Sequence, residues 1–319
     1  MRSTAFGAFT EVTRKSIINM KHWNFLIAIV VIFAACNSQS TGDKKGQVTA
    51  DTTLRISVDE SFQPVIEEEV KVFESSYPDT KVIVEYKPEA ECLRDLQKDS
   101  TKIIIISREL SKEETKFFDQ KIEYKPEFGQ LAKDAIAVII NKETRDSTFT
   151  IKDLKQLLSN GGNGKLTVAI DGNTATSTVR YLKDSILGGG AFGKKVTGAK
   201  NSEDLITYIS TTPNAIGFVG ISWMTNPQSK QQEEAIDKLR MALIECKNCE
   251  KGTFAKPSQQ TITFDQYPLV RGLYYVLKEN YAGLGSRFVE FITTERGQLI
   301  FRRALLVPTR IQFNRRRVI

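Results

Sequence analysis

Histidine is almost absent from this sequence: its 319 residues include one, His22. A Ser-His-Asp triad or a histidine-ligated metal centre therefore has nothing to form from in the rest of the chain. No Ser-x-x-Lys context supplies a substitute nucleophile, so a hydrolase such as a phosphatase is disfavoured, and the chain reads as a non-enzyme. Cysteine is sparse as well, at four residues. Cys36 and Cys92 stand alone, and Cys246-Lys247-Asn248-Cys249 is a single CxxC. A structural zinc site wants four ligands, which one CxxC does not supply. A local Cys246–Cys249 disulfide and a pair of free thiols both remain open. No metal or cofactor is implied. Long apolar runs are missing too. Phe25 to Ala35 is continuous, but at ~1.5 Å per residue it spans roughly half of a ~30 Å hydrocarbon core.

Basic residues exceed acidic ones, with a formal net charge of +7. Part of the excess lies in Arg2, Arg14, Lys15 and Lys21, set against Glu11. Another part is the terminal cluster Arg302, Arg303, Arg310, Arg315, Arg316 and Arg317. Neither group is interleaved with stacking aromatics in a recognisable module, which argues against a nucleic-acid partner. The terminal cluster reads as a solvated end, and attraction to anionic lipid is the lesser alternative.

The N-terminal segment has the order of an export signal: Lys21, the apolar run, then small Ala34-Ala35 before Cys36. Phe33-Ala34-Ala35-Cys36 is similar to the bacterial lipoprotein box, with Phe33 where Leu is usual. Residues 1–35 are therefore expected to be a signal with Met20 as its natural start, and Cys36 the lipidated residue. Asn37 to Asp51 is polar and aperiodic, as a flexible tether would be.

From Thr53 onward strand and helix patterns alternate. Leu54 to Val58 reads as a strand, and Phe62 to Phe73 as a helix with Pro64 in its first turn. Lys81 to Tyr86 is a strand, Glu89 to Lys98 a short helix, and the run Ile103–Ile106 a strand buried on both faces. Ser111 and Glu114 have capping-box spacing. A second series starts at the apolar strand Ala135–Asn141. It continues through a helix at Thr150–Leu158, a strand at Leu166–Ile170, a helix from Thr176 and a strand at Ile216–Val219. Strands are then expected near Thr261–Phe264 and Leu273–Leu277, and helices near the C-terminus. Such alternation predicts an α/β protein with doubly wound, mostly parallel sheets.

Three strand-to-helix junctions carry oxyanion-binding chemistry. Unpaired N–H groups at a helix start, the positive end of its dipole, hydroxyls and an Arg fork all donate to an anion. The junctions are Ser61-Phe62, Ser107-Arg108 and Thr176-Ser177-Thr178, each at the carboxyl end of an expected strand. Each also has a plainer reading as a helix cap or surface ion pair.

Around these junctions the chain resembles the phosphate-binding proteins of ABC transporters, which have the type II periplasmic binding-protein fold. The resemblance covers roughly residues 53–310. It rests on Ser107-Arg108-Glu109-Leu110, Asp134 to Asn141, Asn214 to Gly220, Tyr267-Pro268-Leu269-Val270-Arg271, and Gly297-Gln298 with Val307-Pro308. Two departures stand out: Gly172 falls where the family has an Arg, and Asp59-Glu60 replaces a Gly-Ser-rich loop. The resemblance implies two lobes joined by crossover strands, residues 52–134 with 266–319 and residues 135–265. It implies a hinge containing Tyr267, Pro268 and Arg271, and ligand donors drawn from Ser61, Phe62, Ser107, Arg108, Thr176, Ser177 and Thr178. The expected partners are inorganic phosphate or a similar oxyanion and an inner-membrane permease with its ATPase. The chain would be a monomer held at the periplasm-facing membrane by lipid alone. The same fold with another oxyanion or a phosphorylated small molecule, or a sensor lipoprotein, stays open.

Overall fold

The computed structural model describes residues 52–122, 126–160, 166–172 and 176–310. The signal, Cys36, the tether and residues 311–319 lie outside that set. Thirteen strands occur among the described residues: β1 (Thr53–Asp59), β2 (Lys81–Lys87), β3 (Ile103–Ile106), β4 (Glu127–Asn141), β5 (Thr148–Phe149), β6 (Thr167–Asp171), β7 (Thr197–Ala199), β8 (Ala215–Gly220), β9 (Leu239–Met241), β10 (Leu243–Glu245), β11 (Phe254–Ala255), β12 (Val270–Leu277) and β13 (Val307–Pro308). Ten form one sheet in the path β2-β1-β3-β12-β4-β8-β6-β7, with β9 and β13 both on β4; β11, β10 and β5 form a small second sheet.

Both flanks of the large sheet are parallel: β1 with β2 and β3, and β6 with β7 and β8. The centre is antiparallel. There β12 lies between β3 and β4, and β4 runs on to pair with β8. Apolar side chains explain this arrangement. All four residues of β3 and all six of β8 are buried, as strands covered on both faces must be. From Ala135 to Asn141 β4 is buried throughout, whereas its first half alternates less strictly. One core joins Ile56, Val58, Phe62, Phe73 and Phe288, and another joins Ile136, Ile140, Leu154, Ile170 and Phe218. The boundary expected at Ala135 falls inside β4, which continues through it.

Several expected elements differ in the structure. Thr261–Thr263, expected with Phe264 as a strand, lie in the helix Gln259–Thr263, and Phe264 is its C-cap. The β-branched Thr261 serves a cap there: it and Ser258 exchange backbone and hydroxyl bonds at the helix start. β4 begins eight residues before the expected Ala135, because β12 offers it a partner down to Glu127. The helix from Ser177 widens into a π turn at Leu182–Ile186. Ser111 and Glu114 do close a capping box, with Ser111 N–H donating to Glu114 Oε2 at 2.8 Å and Glu114 N–H to Ser111 Oγ at 3.1 Å.

Candidate functional site

β1 and β3 run towards the middle of β4 from one flank and β6 from the other, so their carboxyl ends face one another and the residues that follow meet. Ser61 sits in the turn Glu60–Phe62 just after β1, and Ser177 and Thr178 open the helix after β6. All three are fully buried. The hydroxyls of Ser61 and Thr178 lie 3.2 Å apart, and Ser177 Oγ lies 3.3 Å from Ser61 Oγ. Thr176 is instead the N-cap of its helix, accepting from Val179 N–H at 3.1 Å.

The cluster contains a guanidinium that the sequence did not place there. Arg271, expected only as a hinge residue, projects from β12 with its side chain 3% exposed. Its Nε donates to Asp134 Oδ2 at 2.8 Å, and its Nη1 donates to Ser177 Oγ at 2.8 Å and Thr178 Oγ1 at 3.1 Å. Its Nη2 is buried with no hydrogen-bond partner. The Phe62 ring lies 4.7 Å from its Cζ, a cation–π arrangement. β12 pairs Arg271 directly with Asp134 of β4, so sheet register sets this geometry. Gly220 makes room at the end of β8: a Cβ there would come within 2.8 Å of the Ser61 carbonyl oxygen and 3.2 Å of Arg271 Nη2.

The same geometry accounts for Gly172. Its φ is +82°, in the left-handed region that side chains other than glycine's rarely adopt. An Arg at that position would be strained, and the buried positive charge comes from Arg271 instead.

Two carboxylates take up the donors of this site. Asp59, buried at the end of β1, accepts from Ser61 N–H at 2.9 Å, Ser177 N–H at 3.0 Å and Ser177 Oγ at 2.9 Å. Glu89 opens the helix Glu89–Asp95. Its Oε2 accepts from Ser107 N–H at 2.9 Å and Ser107 Oγ at 2.7 Å, and its Oε1 from Arg180 Nε at 2.6 Å. Arg180 Nη2 also reaches Ser107 Oγ at 2.7 Å. Arg108 points elsewhere: its two terminal nitrogens fork onto Glu114 at 2.7 and 2.8 Å, and its Nε is 3.6 Å from Glu89. Thus Ser107 bonds Glu89 directly, whereas Arg108 spends its hydrogen bonds on Glu114 and keeps only an ion pair with Glu89.

Burial dominates the electrostatics. It pushes the Asp59 carboxyl up, helped by Glu89 and opposed by Arg271 and the Ser61 donors. Asp171, at the end of β6 and bonded by Ser202 Oγ at 3.0 Å, is pushed up to about 6 by burial against the pull of Arg271. Glu60 is raised to about 7 by burial and by the charges of Asp171 and Asp59. Burial also raises Glu89, but Arg180 and the Ser107 donors outweigh it and hold that carboxyl below its ordinary range. Asp59, Asp171 and Asp134, each raised by burial, therefore surround one fixed guanidinium, a strong departure from a solvated surface.

Elsewhere, Cys246 and Cys249 are joined as a disulfide, and Cys92 is a buried free thiol. Tyr267 is fully buried and donates its hydroxyl to the Ile136 carbonyl at 2.8 Å, while the Pro268 carbonyl accepts from the Tyr181 hydroxyl at 3.0 Å. Both contacts hold the turn before β12 against the β4 and β6 side of the sheet.

Buried hydroxyls, backbone N–H groups and one buried Arg thus cluster where the carboxyl ends of β1, β3 and β6 face one another. The PBP superfamily domain matches residues 43–296, and the chain belongs to that family. Among curated proteins, the phosphate-binding protein PstS of Pseudomonas aeruginosa is 25% identical over 219 residues, which cover 61% of this chain and 64% of that protein. The chain thus matches less than two-thirds of that relative's length. PstS of Borreliella burgdorferi is 23% identical over 254 residues, covering 75% of this chain and 83% of that one. A solved structure of a substrate-binding protein from Clostridium perfringens, with bound phosphate, has a TM-score of 0.64 at 20% identity, covering 81% of this chain and 99% of its own. The α/β architecture is that of the type II periplasmic binding proteins, with parallel flanks and crossover strands β4 and β12.

Proposed function

We propose that this protein is the extracytoplasmic substrate-binding component of an ABC importer, that it captures inorganic phosphate, and that it is not an enzyme. The observation that carries the reading is Arg271. Its unpartnered Nη2 is a buried charged donor beside the hydroxyls of Ser61, Ser177 and Thr178. A buried donor without a partner costs about 1–3 kcal/mol, and more when charged, so an anion arriving there gains more than the same anion at the surface. Both curated relatives are named phosphate-binding proteins, which favours phosphate among the oxyanions.

Capture proceeds by closure of two lobes, residues 52–134 with 266–319 and residues 135–265, about β4 and β12. The bonds Asp59–Ser177, Ser61–Thr178 and Glu89–Arg180 each join one proposed lobe to the other. The hydroxyls of Ser61, Ser177 and Thr178, with Arg271, grip the anion. Thr176 positions its helix, and Arg108 supports Ser107 and Glu89 from outside. Lipid attachment through Cys36 and docking to a permease complete the proposal.

The test is calorimetric titration with phosphate, sulfate and molybdate, after unfolding and refolding to strip carried ligand. Phosphate binding is expected, weakened at least tenfold in Thr178→Val and retained in Arg108→Ala. A folded protein that gives no heat with any of the three anions would sink the reading.

A further inference from the structure

Asp59 holds the position of a ligand without being one. A bound oxyanion at this cluster would accept from the Ser61 N–H, the Ser177 N–H and the Ser177 hydroxyl. Those are the three donors that Asp59 already holds, at 2.9, 3.0 and 2.9 Å. The carboxylate is fully buried, and so are the three residues that could reward a replacement: Ser61, Ser177 and Thr178. Among the buried side-chain donors here, Arg271 Nη2 is without a partner. Resting on the proposed oxyanion function, we infer that Asp59 is a resident anion of the site: phosphate binds by exchanging with its carboxylate, and the displaced carboxylate takes up a proton.

The surroundings of Asp59 require the proton. From β12 it faces Arg271, whose charge is already shared with Asp134. From the helix Glu89–Asp95 it faces Glu89, itself paired with Arg180, and the thiol of Cys92. From the end of β6 it faces Asp171, and Glu60 adjoins it in its own turn. With its donors in place the carboxylate is compensated. Once phosphate holds those donors, an ionised Asp59 would be a second buried negative charge among acidic neighbours, so it protonates instead. The rise of this carboxyl above its ordinary range has the same cause, burial first and Glu89 second.

Exchange makes binding weaken as pH rises, by up to about tenfold per unit beyond what the titration of phosphate itself produces. It also makes Asp59 a determinant of affinity. An asparagine keeps the shape, and its carbonyl oxygen can still accept from Ser61, but it carries no charge to displace and no proton to take up.

The experiment is phosphate titration of the wild-type protein and Asp59→Asn at about pH 5.5 and about pH 8, with Asp59→Ser as the second variant should the first not unfold cooperatively. At the higher pH the variant is expected to bind at least about tenfold more tightly than wild type, and the gap narrows at the lower pH. Binding by the variant alone gives the same answer in stronger form. Equal affinities and equal pH slopes would overturn the inference while leaving the phosphate site standing. So would loss of binding in folded variants, which would make Asp59 a direct ligand contact. Absence of binding in every protein at both pH values would remove the functional reading and this inference with it.

Discussion

Replacing Asp134 tests whether the centre of the site holds together as a charge pair. Asp134 is fully buried and Arg271 nearly so, their contact is 2.8 Å, and Asp134 Oδ1 has no partner of its own. Burial pushes the Asp134 carboxyl up even against the pull of Arg271. Desolvation therefore offsets much of the attraction, and the pair's net contribution is small. Removing one member is a different matter, because it leaves the other charge buried and uncompensated, at about 3–5 kcal/mol. Asp134→Ala is thus expected to lower stability in urea by about that much, with a fall in Tm on the order of 10 °C. The double variant Asp134→Leu with Arg271→Met keeps both volumes roughly filled and removes both charges. It should recover at least half of the loss, giving a favourable coupling energy in a double-mutant cycle. A loss below about 1 kcal/mol in Asp134→Ala would refute the argument. It would mean that Asp59 and Asp171, both of which pull on Arg271 from within the site, already neutralise it.

Two further outcomes concern the scaffold. Glu69, on the helix Gln63–Ser76, is fully buried with neither oxygen bonded, and burial raises its pKa well above 4.5. The folded state therefore holds a proton that the unfolded chain releases. Stability should decline as pH rises above the usual carboxylate range, and Glu69→Met should make that slope shallower by Glu69's share and stabilise the protein by about 1–3 kcal/mol at neutral pH, read by denaturation across pH. Gly297 packs its Cα so closely on the preceding helix that a Cβ would meet Ile292 Cα at 2.5 Å and the Phe291 carbonyl oxygen at 2.7 Å. Gly297→Ala should cost about 1–3 kcal/mol despite alanine's better helix propensity, and an unchanged Tm would show that the two helices can part freely.

What could be read from the sequence tracks the range of the interaction involved. Ile103–Ile106 and Ala135–Asn141 announce themselves as strands because burial on both faces is written into consecutive residues. The motif residues Gly297 and Gln298 were legible as a pattern, and the structure supplies the reason. Gly297 permits a helix contact, and Gln298 donates to the Leu131 and Ile292 carbonyls while accepting from Arg310 N–H at 3.0 Å. The positions of Ser61, Ser177 and Thr178 after β1 and β6 were legible because strand-to-helix junctions have a local signature. Thr261–Phe264 was misread because β-branched residues serve a helix cap there as readily as a strand.

Arg271 and Arg180 were hidden for another reason. Neither stands at a strand-to-helix junction; each enters the cluster only because a strand pairing or a helix face fixed elsewhere carries it there. Arg271 needs the register of β12 on β4, and Arg180 needs the helix after β6 to face the one after β2. In sequence, Arg108 looked the better anion ligand because it follows a strand, yet Glu114 lies one helical turn into the next element and forks with it locally. A charge with a partner six residues away is satisfied before any ligand arrives. A charge whose terminal nitrogen finds no partner, as Nη2 of Arg271, keeps a buried donor unspent.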